Sequence, residues 1–387
     1  LKVCGASGCQ TSTDAEQLRQ WEPESNVNPD SVSFTNPQAY YTIELGFAEP
    51  ARASLLAATR LVAGNPPRLA IVTLAPDGSG IRAVVEAPTN DGALVRVDAP
   101  VWVPAGDRIL FTGVTAERED GRVGEEGTFS YYESDIFSIT PDGSGRERLT
   151  ATHDAGGAVP SPDGATILFA RREHQDRFPP TSGLWLMDAD GNRARRLLEV
   201  RDGQLDFPGG WSPDGERIVF TRCRWTPPGP GGRTPNSCAV YTVAPDGEDL
   251  KRLADRARGG FFSPDGKRIL FVSDRDEHGL HQTGSDEEDF ANELYVMEAD
   301  GDHQQRLTET EGLDEQAHAW SPDGRLIAYA RAGPNRFSTQ LMLMRADGSC
   351  PTRIAGDAAS ADQMSIPDFR SPSWRGGRVA EVTLDCS

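Results

Sequence analysis

Short apolar runs recur along the chain, and a turn sequence bounds each of them. The tetrapeptide Ser-Pro-Asp-Gly separates an aromatic or small apolar residue from the next apolar run at residues 161–164, 212–215, 263–266 and 321–324. Pro and Asp favour the early positions of a tight turn, and Gly tolerates the positive φ that often ends one. The pattern therefore predicts a strand, a turn and a second strand at each copy.

A second hairpin signal alternates with the first. It consists of an apolar run, an Asp-Gly pair and then a basic residue with Leu or Ile, and its turns lie at residues 77–78, 142–143, 190–191, 246–247, 300–301 and 347–348. Degenerate copies of the first signal lie at 101–111 and 374–382. The apolar runs are nearly continuous, which is typical of strands covered on both faces.

The two signals together predict an all-β fold. Neighbouring Ser-Pro-Asp-Gly turns are 51, 51 and 58 residues apart, with no helical periodicity between them. Four-stranded units at that spacing predict a six-bladed β-propeller of antiparallel blades. Since the series opens with the second signal near Leu69 and ends with the first near Trp374, we expect N- and C-terminal strands to share one blade and close the ring.

The repeat also resembles a known family. The Ser-Pro-Asp-Gly turn followed by Arg-Ile-Leu-Phe, Leu-Tyr-Val-Met, Asp-Gly and Arg-Leu-Thr is similar to the WD40-like PD40 repeat of TolB-type propellers. The likeness covers about residues 68–385, which predicts a propeller over 67–387. Residues 1–66 lie outside the repeat and predict a small β-rich N-terminal arm.

The predicted blade order assigns the connections to two faces. Turns between first and second strands and between third and fourth strands share one face, here called the short-turn face. The opposite, long-loop face carries the long segments 115–134, 173–182, 224–237, 274–291, 308–317 and 355–371. Long loops on a rigid scaffold commonly bind ligands. The candidate binding residues are Tyr131, Tyr132, His153, His174, Trp225, Asp274, Asp276, His278, His281 and His318.

Acidic residues dominate these loops and raise the question of a cation site. Asp274, Asp276, His278 and His281 could form a metal site, but their spacing does not place ligands on one face of an element. We therefore predict no tightly bound cofactor and leave a weakly held Ca²⁺ open. The repeated Asp residues of the turns are interpreted as turn caps.

The net charge of the chain limits the classes of partner that we expect it to bind. Its 39 basic and 59 acidic residues give a net charge of −20, which argues against nucleic acid and anionic membranes. No apolar stretch is long enough for a membrane helix, so no membrane insertion is expected.

Six cysteines indicate an oxidising location. Cys223 and Cys238 flank one connection of a blade, and Cys4 and Cys9 flank a short turn, so each pair is predicted to form a disulfide. The expected strands place Cys350 and Cys386 on opposite faces, which leaves their pairing open. The pattern favours a secreted, cell-surface or periplasmic protein.

No catalytic motif accompanies the repeat. The sequence contains no Gly-x-Ser-x-Gly, His-Glu-x-x-His or Walker pattern. We therefore predict a non-catalytic extracellular propeller that contacts a protein partner through its long-loop face and N-terminal arm. One alternative is a structural subunit that self-associates through the arm. Another is a metal-dependent polysaccharide lyase, since certain pectin lyases resemble this propeller class.

Overall fold

The structure is a computed structural model of the chain. It describes residues 2–5, 8–11, 55–62, 68–124, 127–173, 181–224, 238–276, 280–282, 288–290, 292–310, 313–332, 339–356, 369–376, 379 and 382–386. Most of the predicted arm at residues 1–66 lies outside these residues.

Every regular element in the described part of the chain is a β-strand. In chain order the strands are β1 (Lys2–Gly5), β2 (Gly8–Thr11), β3 (Leu56–Val62), β4 (Arg68–Leu74), β5 (Arg82–Ala87), β6 (Arg96–Trp102), β7 (Ile109–Gly124), β8 (Gly127–Ile139), β9 (Glu147–Arg148), β10 (Ala155–Pro160), β11 (Thr166–Glu173), β12 (Thr181–Asp188), β13 (Arg195–Arg196), β14 (Gln204–Trp211), β15 (Ile218–Arg224), β16 (Ala239–Val243), β17 (Lys251–Asp255), β18 (Ala257–Phe262), β19 (Arg268–Ser273), β20 (Leu280–Gln282), β21 (Glu288–Phe290), β22 (Glu293–Glu298), β23 (Gln305–Arg306), β24 (Asp314–Trp320), β25 (Leu326–Ala332), β26 (Thr339–Arg345), β27 (Thr352–Ala355) and β28 (Phe369–Trp374). Within the same residues, no helix is long and apolar enough to cross a membrane.

All but one of the pairs of neighbouring strands in the sheets are antiparallel. Four-stranded sheets have the orders β28-β3-β4-β5, β6-β7-β8-β9, β18-β19-β22-β23 and β24-β25-β26-β27. An eight-stranded sheet contains β10 to β17, and its two halves meet at one parallel pair, Ser182 with Leu205. Two short hairpins, β1-β2 and β20-β21, stand apart from these sheets.

The first strands of successive units contact one another in a ring. β28 contacts β6, β6 contacts β10, and the series continues through β14, β18 and β24 back to β28. The sheets are therefore arranged as the blades of a β-propeller, the fold class predicted from the repeat.

The core lies between neighbouring sheets rather than at one centre. Most apolar clusters combine strands of two adjacent sheets, as where Val219 and Val240 pack with Ile269 and Phe271. One cluster instead joins the two halves of the eight-stranded sheet. Equivalent positions of the second strands provide the largest fully buried side chains, among them Phe111, Phe169, Phe220, Phe271 and Tyr329. Burying one such ring contributes about 2–3 kcal/mol. Coverage of both faces explains the nearly continuous apolar runs.

The Ser-Pro-Asp-Gly turns have the capped geometry that the sequence predicts. The Ser161 hydroxyl donates to Asp163 Oδ1 at 2.6 Å, and the Ala165 N–H donates to the same oxygen at 3.0 Å. Gly164 has a φ of +70°, a conformation that a side chain would oppose. The hydrogen bond from Ser161 is the main cause that lowers the pKa of Asp163.

N- and C-terminal strands share one sheet, as predicted, but the strands that meet there differ from those expected. The expected hairpin at 374–382 does not form a second strand among the described residues. Instead β28 pairs with β3, with Trp374 opposite Leu56, and β3 pairs with β4. β3 takes this place because Leu56, Ala57 and Ala58 are apolar and fully buried. The predicted boundary between residues 66 and 67 thus falls inside one sheet.

Two disulfides are present in the described chain. Cys223 bonds Cys238, as predicted, and closes a connection across 15 residues, which stabilises the fold by about 3 kcal/mol in the chain-entropy treatment. Cys4 lies opposite Cys9 in the β1-β2 hairpin. The structure describes only the backbone of these residues, so the disulfide between them stays a prediction.

The second disulfide corrects an expectation. Cys350 bonds Cys386, although the predicted strands had placed them on opposite faces. The segment 382–386 is not a strand. Residues 382–386 lie on the short-turn face, where the β26-β27 turn presents Cys350. The expected strand direction was wrong because β3 already occupies the place of the second strand.

Candidate functional site

The described parts of the long-loop face are mainly the ends of strands. A first strand begins there, a second ends there, a third begins there and a fourth ends there. His174, Trp225 and His278 lie outside the described residues. His281 lies in β20 opposite Asp289, and the side chains of that hairpin are not described.

The described residues of the segment 115–134 are two paired strands and not the irregular loop that we expected. β7 and β8 remain paired from Ile109 with Ile139 to Gly124 with Gly127, beyond the end of their sheet. Arg118 donates to Glu133 at 2.8 Å across this extension. Its β-branched and aromatic residues, Thr115, Val123, Thr128, Phe129, Tyr131 and Tyr132, were the signal for a strand.

Two predicted residues lie near the base of the hairpin. Tyr131 is paired with Arg118 in backbone register. Tyr132 is exposed, its ring centroid is 5.6 Å from the Arg96 guanidinium carbon, and its carbonyl accepts a hydrogen bond from Arg172. This places an exposed aromatic ring at the rim of the long-loop face.

His153 lies beside the same hairpin. Its Nδ1 is 3.8 Å from a Glu133 oxygen and 3.7 Å from an Asp135 oxygen. Asp135 is fully buried and accepts hydrogen bonds from the Thr150 hydroxyl at 2.8 Å and the Thr152 N–H at 3.0 Å. His153 is therefore positioned at the face by a fixed carboxylate.

Asp274 and Asp276 engage cationic and hydroxyl groups. Arg256 Nε donates to Asp274 at 3.1 Å. Asp276 accepts a hydrogen bond from the Tyr295 hydroxyl, and its Oδ2 is 3.6 Å from Arg306 Nη1. Within the described chain, no group of three or more His, Cys, Asp or Glu side chains has a geometry that could hold a metal ion.

His318 lies inside the molecule and not on the long-loop face. It is 2% exposed, its Nε2 is 3.2 Å from the Leu270 carbonyl, and its ring meets Phe261 edge-on at 5.4 Å. Burial lowers the pKa of His318 to about 4, so its imidazole is neutral at pH 7. The strand residue packs between two sheets, which the loop-based prediction did not consider.

Sequence reasoning missed a repeated group of three side chains on this face. A carboxylate from the first strand accepts two hydrogen bonds from an Arg near the end of the second strand, and that Arg covers an aromatic ring. In the β14-β15 pair, Asp206 accepts from Arg222 Nε and Nη2, both at 2.7 Å. Arg222 lies 5.2 Å from the Phe220 ring centroid and 5.6 Å from that of Tyr241.

The β10-β11 and β24-β25 pairs repeat the arrangement, with Asp154 directly before β10. Asp154 accepts from Arg171 at 3.0 and 2.8 Å, with Arg171 over Trp185 at 4.5 Å. Glu315 accepts from Arg331 at 2.9 and 2.8 Å, with Arg331 over Tyr329 at 5.5 Å. The sequence signal was an Arg two positions after the second-strand aromatic residue. The planar guanidinium suits both contacts.

Burial raises the pKa of two of these carboxyl groups. Burial raises the pKa of Asp206, although the hydrogen bonds from Arg222 oppose the shift. Burial also raises the pKa of Glu315 to about 7 against the attraction of Arg331. The nearby Glu293 is 2% exposed and accepts from Arg306 at 3.1 Å and from the Thr308 hydroxyl at 2.5 Å. Hydrogen bonds from the arginines hold these carboxyl groups at the strand ends.

Together, the ring of sheets and its capped strand ends define the fold as a TolB-like β-propeller. The TolB structure from Agrobacterium tumefaciens aligns with a TM-score of 0.53 and 18% identity, over 84% of this chain and 99% of that one. A chain of the nidogen/laminin complex aligns with a TM-score of 0.53 and 11% identity, over 83% of this chain and 98% of that one. The resemblance inferred from the repeat is confirmed at the level of fold.

Two curated relatives are named as peptidases. Tricorn protease homolog 1 of Streptomyces coelicolor is 26% identical over 197 residues, which are 47% of this chain and 16% of that protein. The uncharacterized peptidase YuxL of Bacillus subtilis is 30% identical over 129 residues, or 33% and 18% respectively. The chain thus matches less than a fifth of the length of either. No protein-family model matches it.

These relatives correct the prediction that the protein is not an enzyme. That prediction rested on missing catalytic motifs, whereas the similarity is to proteins named as peptidases. A propeller repeat carries no catalytic motif of its own, so reading such motifs in this chain could not decide the question.

Proposed function

We propose that this chain is the propeller of a peptidase-like protein and binds an extended, basic polypeptide at its long-loop face. Similarity to two proteins named as peptidases supports a polypeptide ligand. We further propose that the propeller has six blades. Four four-stranded sheets, together with an eight-stranded sheet whose halves meet at one parallel pair, support that number.

The observation that carries the proposal is the projecting β7-β8 hairpin. Beyond Val114, the pairs from Ala116 with Glu133 to Gly124 with Gly127 connect only these two strands to each other. In the part of the chain that the structure describes, no third strand pairs with either outer edge. An open edge of this kind can accept an added strand through backbone hydrogen bonds.

The charge of the hairpin supports the basic character of the ligand. Residues 115–134 contain six acids, Glu117, Glu119, Asp120, Glu125, Glu126 and Glu133, against two arginines, Arg118 and Arg122. An acidic edge attracts lysine and arginine side chains and repels acidic segments. The fixed strand ends at Asp135 and Asp154 would hold the base of the hairpin in place.

The two disulfides support a location in an oxidising compartment, such as the periplasm, the cell surface or the medium. This location would expose the long-loop face to polypeptides outside the cytoplasm. We propose it together with the function.

Binding of a labelled peptide tests this function. Fluorescence anisotropy would compare a short peptide of alternating lysine and threonine with the same peptide N-methylated at alternate residues. Methylation removes backbone donors along one edge but keeps the charge. We expect the first peptide to bind and the methylated one to bind at least tenfold more weakly, since edge pairing needs those N–H groups.

A hairpin-shortened variant provides the structural control. Residues 117–132 would be replaced by an Asn-Gly turn, with the circular dichroism spectrum checked for an intact sheet fold. Loss of peptide binding with the fold retained supports the proposal. Equal binding of the two peptides, or unchanged binding by the shortened variant, would overturn it.

A further inference from the structure

A cleft of ≈ 570 Å³ opens on the short-turn face, away from the proposed polypeptide site. It lies where β19, β25 and β26 reach that face and where the C-terminal tail crosses them. Its lining includes Arg268, Arg325, Arg345, Leu326, Val382 and Leu384. The cleft therefore combines three arginines with an apolar wall, in a chain of net charge −20.

The three arginines differ from most arginines on the opposite face. None of them lies within ion-pair distance of a carboxylate of the described residues, whereas Arg171, Arg222 and Arg331 each do. The Arg268 guanidinium is 4.9 Å from the centroid of the Trp320 ring, which holds it in place. Asp347 and Asp265 attract Arg345 and Arg268 only from beyond ion-pair distance. A group of cations with no closely paired carboxylate is costly to assemble unless an anion balances it.

One acid, Asp347, also lines the cleft. Its carboxylate already accepts hydrogen bonds from the Ser349 hydroxyl at 2.6 Å and the Ser349 N–H at 2.9 Å. These bonds are the leading causes that lower its pKa. Asp347 is therefore an ionised turn cap, and it leaves an excess of positive charge in the cleft.

The positive charge is not a property of the repeat. Leu326 and Arg345 face each other across β25 and β26, and Arg325 precedes Leu326. The positions that correspond to Arg325 in the other Ser-Pro-Asp-Gly units hold Ala165, Glu216 and Lys267. Those that correspond to Arg345 before the Asp-Gly turns hold Asp188, Ala244 and Glu298. Only this sheet has arginine at both of these positions.

The tail forms a fixed apolar wall. Val382 and Leu384 pack against the cluster between the last sheet and the ring-closing sheet. The Asp385 N–H donates to the Thr352 hydroxyl at 2.8 Å, and Cys386 is bonded to Cys350. A wall held by two attachments adds little ordering cost when a ligand binds.

We propose that this cleft binds a small organic anion. Its carboxylate or phosphate group faces Arg268, Arg325 and Arg345, and its apolar body contacts Leu326, Val382 and Leu384. Guanidinium groups match the geometry of both anionic groups with paired hydrogen bonds. The cleft lies on the other face from the β7-β8 hairpin, so this proposal stands independently of the polypeptide site.

Titration calorimetry with three probes of the same apolar body tests the proposal. The probes are phenyl phosphate, phenylacetate and uncharged 2-phenylethanol. We expect at least one of the two anions to bind and 2-phenylethanol to give no measurable heat. The tighter anion identifies whether phosphate or carboxylate is the preferred group.

Matched variants locate the binding. Arg325→Gln with Arg345→Gln should weaken the tighter anion about a hundredfold, or about tenfold for each guanidinium. Arg217→Gln, at an exposed turn of another sheet, should leave the affinity unchanged. Leu384→Ala should weaken the phenyl anions but not inorganic phosphate. Absence of binding by both anions, or equal weakening by Arg217→Gln, would overturn the proposal.

Discussion

On the long-loop face, Arg222 and Arg331 each hold a buried carboxylate and cover an aromatic ring. On the short-turn face, Arg325 and Arg345 line an open cleft without an ion pair to any described carboxylate. All four arginines lie in units of the same repeated sequence pattern. The difference shows that the position of an arginine along the strand decides its role. Near the end of a second strand it holds a carboxylate, whereas beside a short turn it lines the cleft.

The largest effect is expected from breaking a carboxylate–arginine pair. Asp206→Ala removes a fully buried acid and leaves Arg222, whose side chain is 17% exposed, without its partner. Breaking such a pair costs about 3–5 kcal/mol of unfolding free energy. Urea denaturation measures the change. Asp202→Ala, an exposed acid in the preceding turn, is the control, and a loss below 1 kcal/mol at Asp206 would show that the pair does not stabilise the blade.

A smaller effect is expected in the pH dependence of stability. This dependence differs between Glu315 on the long-loop face and the turn acids of the short-turn face. Because burial raises the pKa of Glu315 from 4.5 to about 7, its protonated form is favoured in the folded protein. The contribution of Glu315 to the free energy of unfolding is fully present below about pH 4.5 and is lost as the pH rises through about 7. Replacing it by Gln should remove this loss, which is about 3 kcal/mol for a shift of that size.

Denaturation of wild type and Glu315→Gln between pH 4.5 and pH 8 measures this difference. Glu199→Gln, an acid with a 92% exposed side chain, should follow the wild type at every pH. The turn acids have the opposite dependence, because the pKa of Asp163 and that of Asp214 are lowered and their contribution disappears on acidification. Parallel curves for Glu315→Gln and wild type would contradict the assignment.

The smallest effect is expected in a single turn of the short-turn face. Ser212→Ala removes the hydroxyl that donates to Asp214 at 2.5 Å and accepts from the Arg217 N–H at 2.8 Å. A partly exposed cap of this kind contributes about 1 kcal/mol. Thermal unfolding should detect the loss, while Glu216→Ala in the same turn should change little. An equal loss in both variants would indicate that the cap is not the cause.

The sequence predicted the parts of the fold that depend on local chemistry. Ser161, Asp163 and Gly164 specify their turn because their hydrogen bonds and dihedral angles involve residues close in the chain. The disulfide between Cys223 and Cys238 was predicted for the same kind of reason, because the two cysteines flank one connection between neighbouring strands. The contacts of the candidate residues were predicted less well, because loop length and acidity do not specify which side chains meet. The hairpin at 115–134 and the buried His318 show this limit.

By itself, the sequence determined that the chain forms alternating hairpins and that these assemble as a propeller, since apolar runs and turn residues act over a few positions. Only the tertiary structure decided that β3 joins β28, that Cys386 reaches Cys350, and that Arg268, Arg325 and Arg345 converge on one cleft. These contacts join residues far apart in the chain. Their geometry depends on which strand occupies each place in the ring, and no local pattern specifies that.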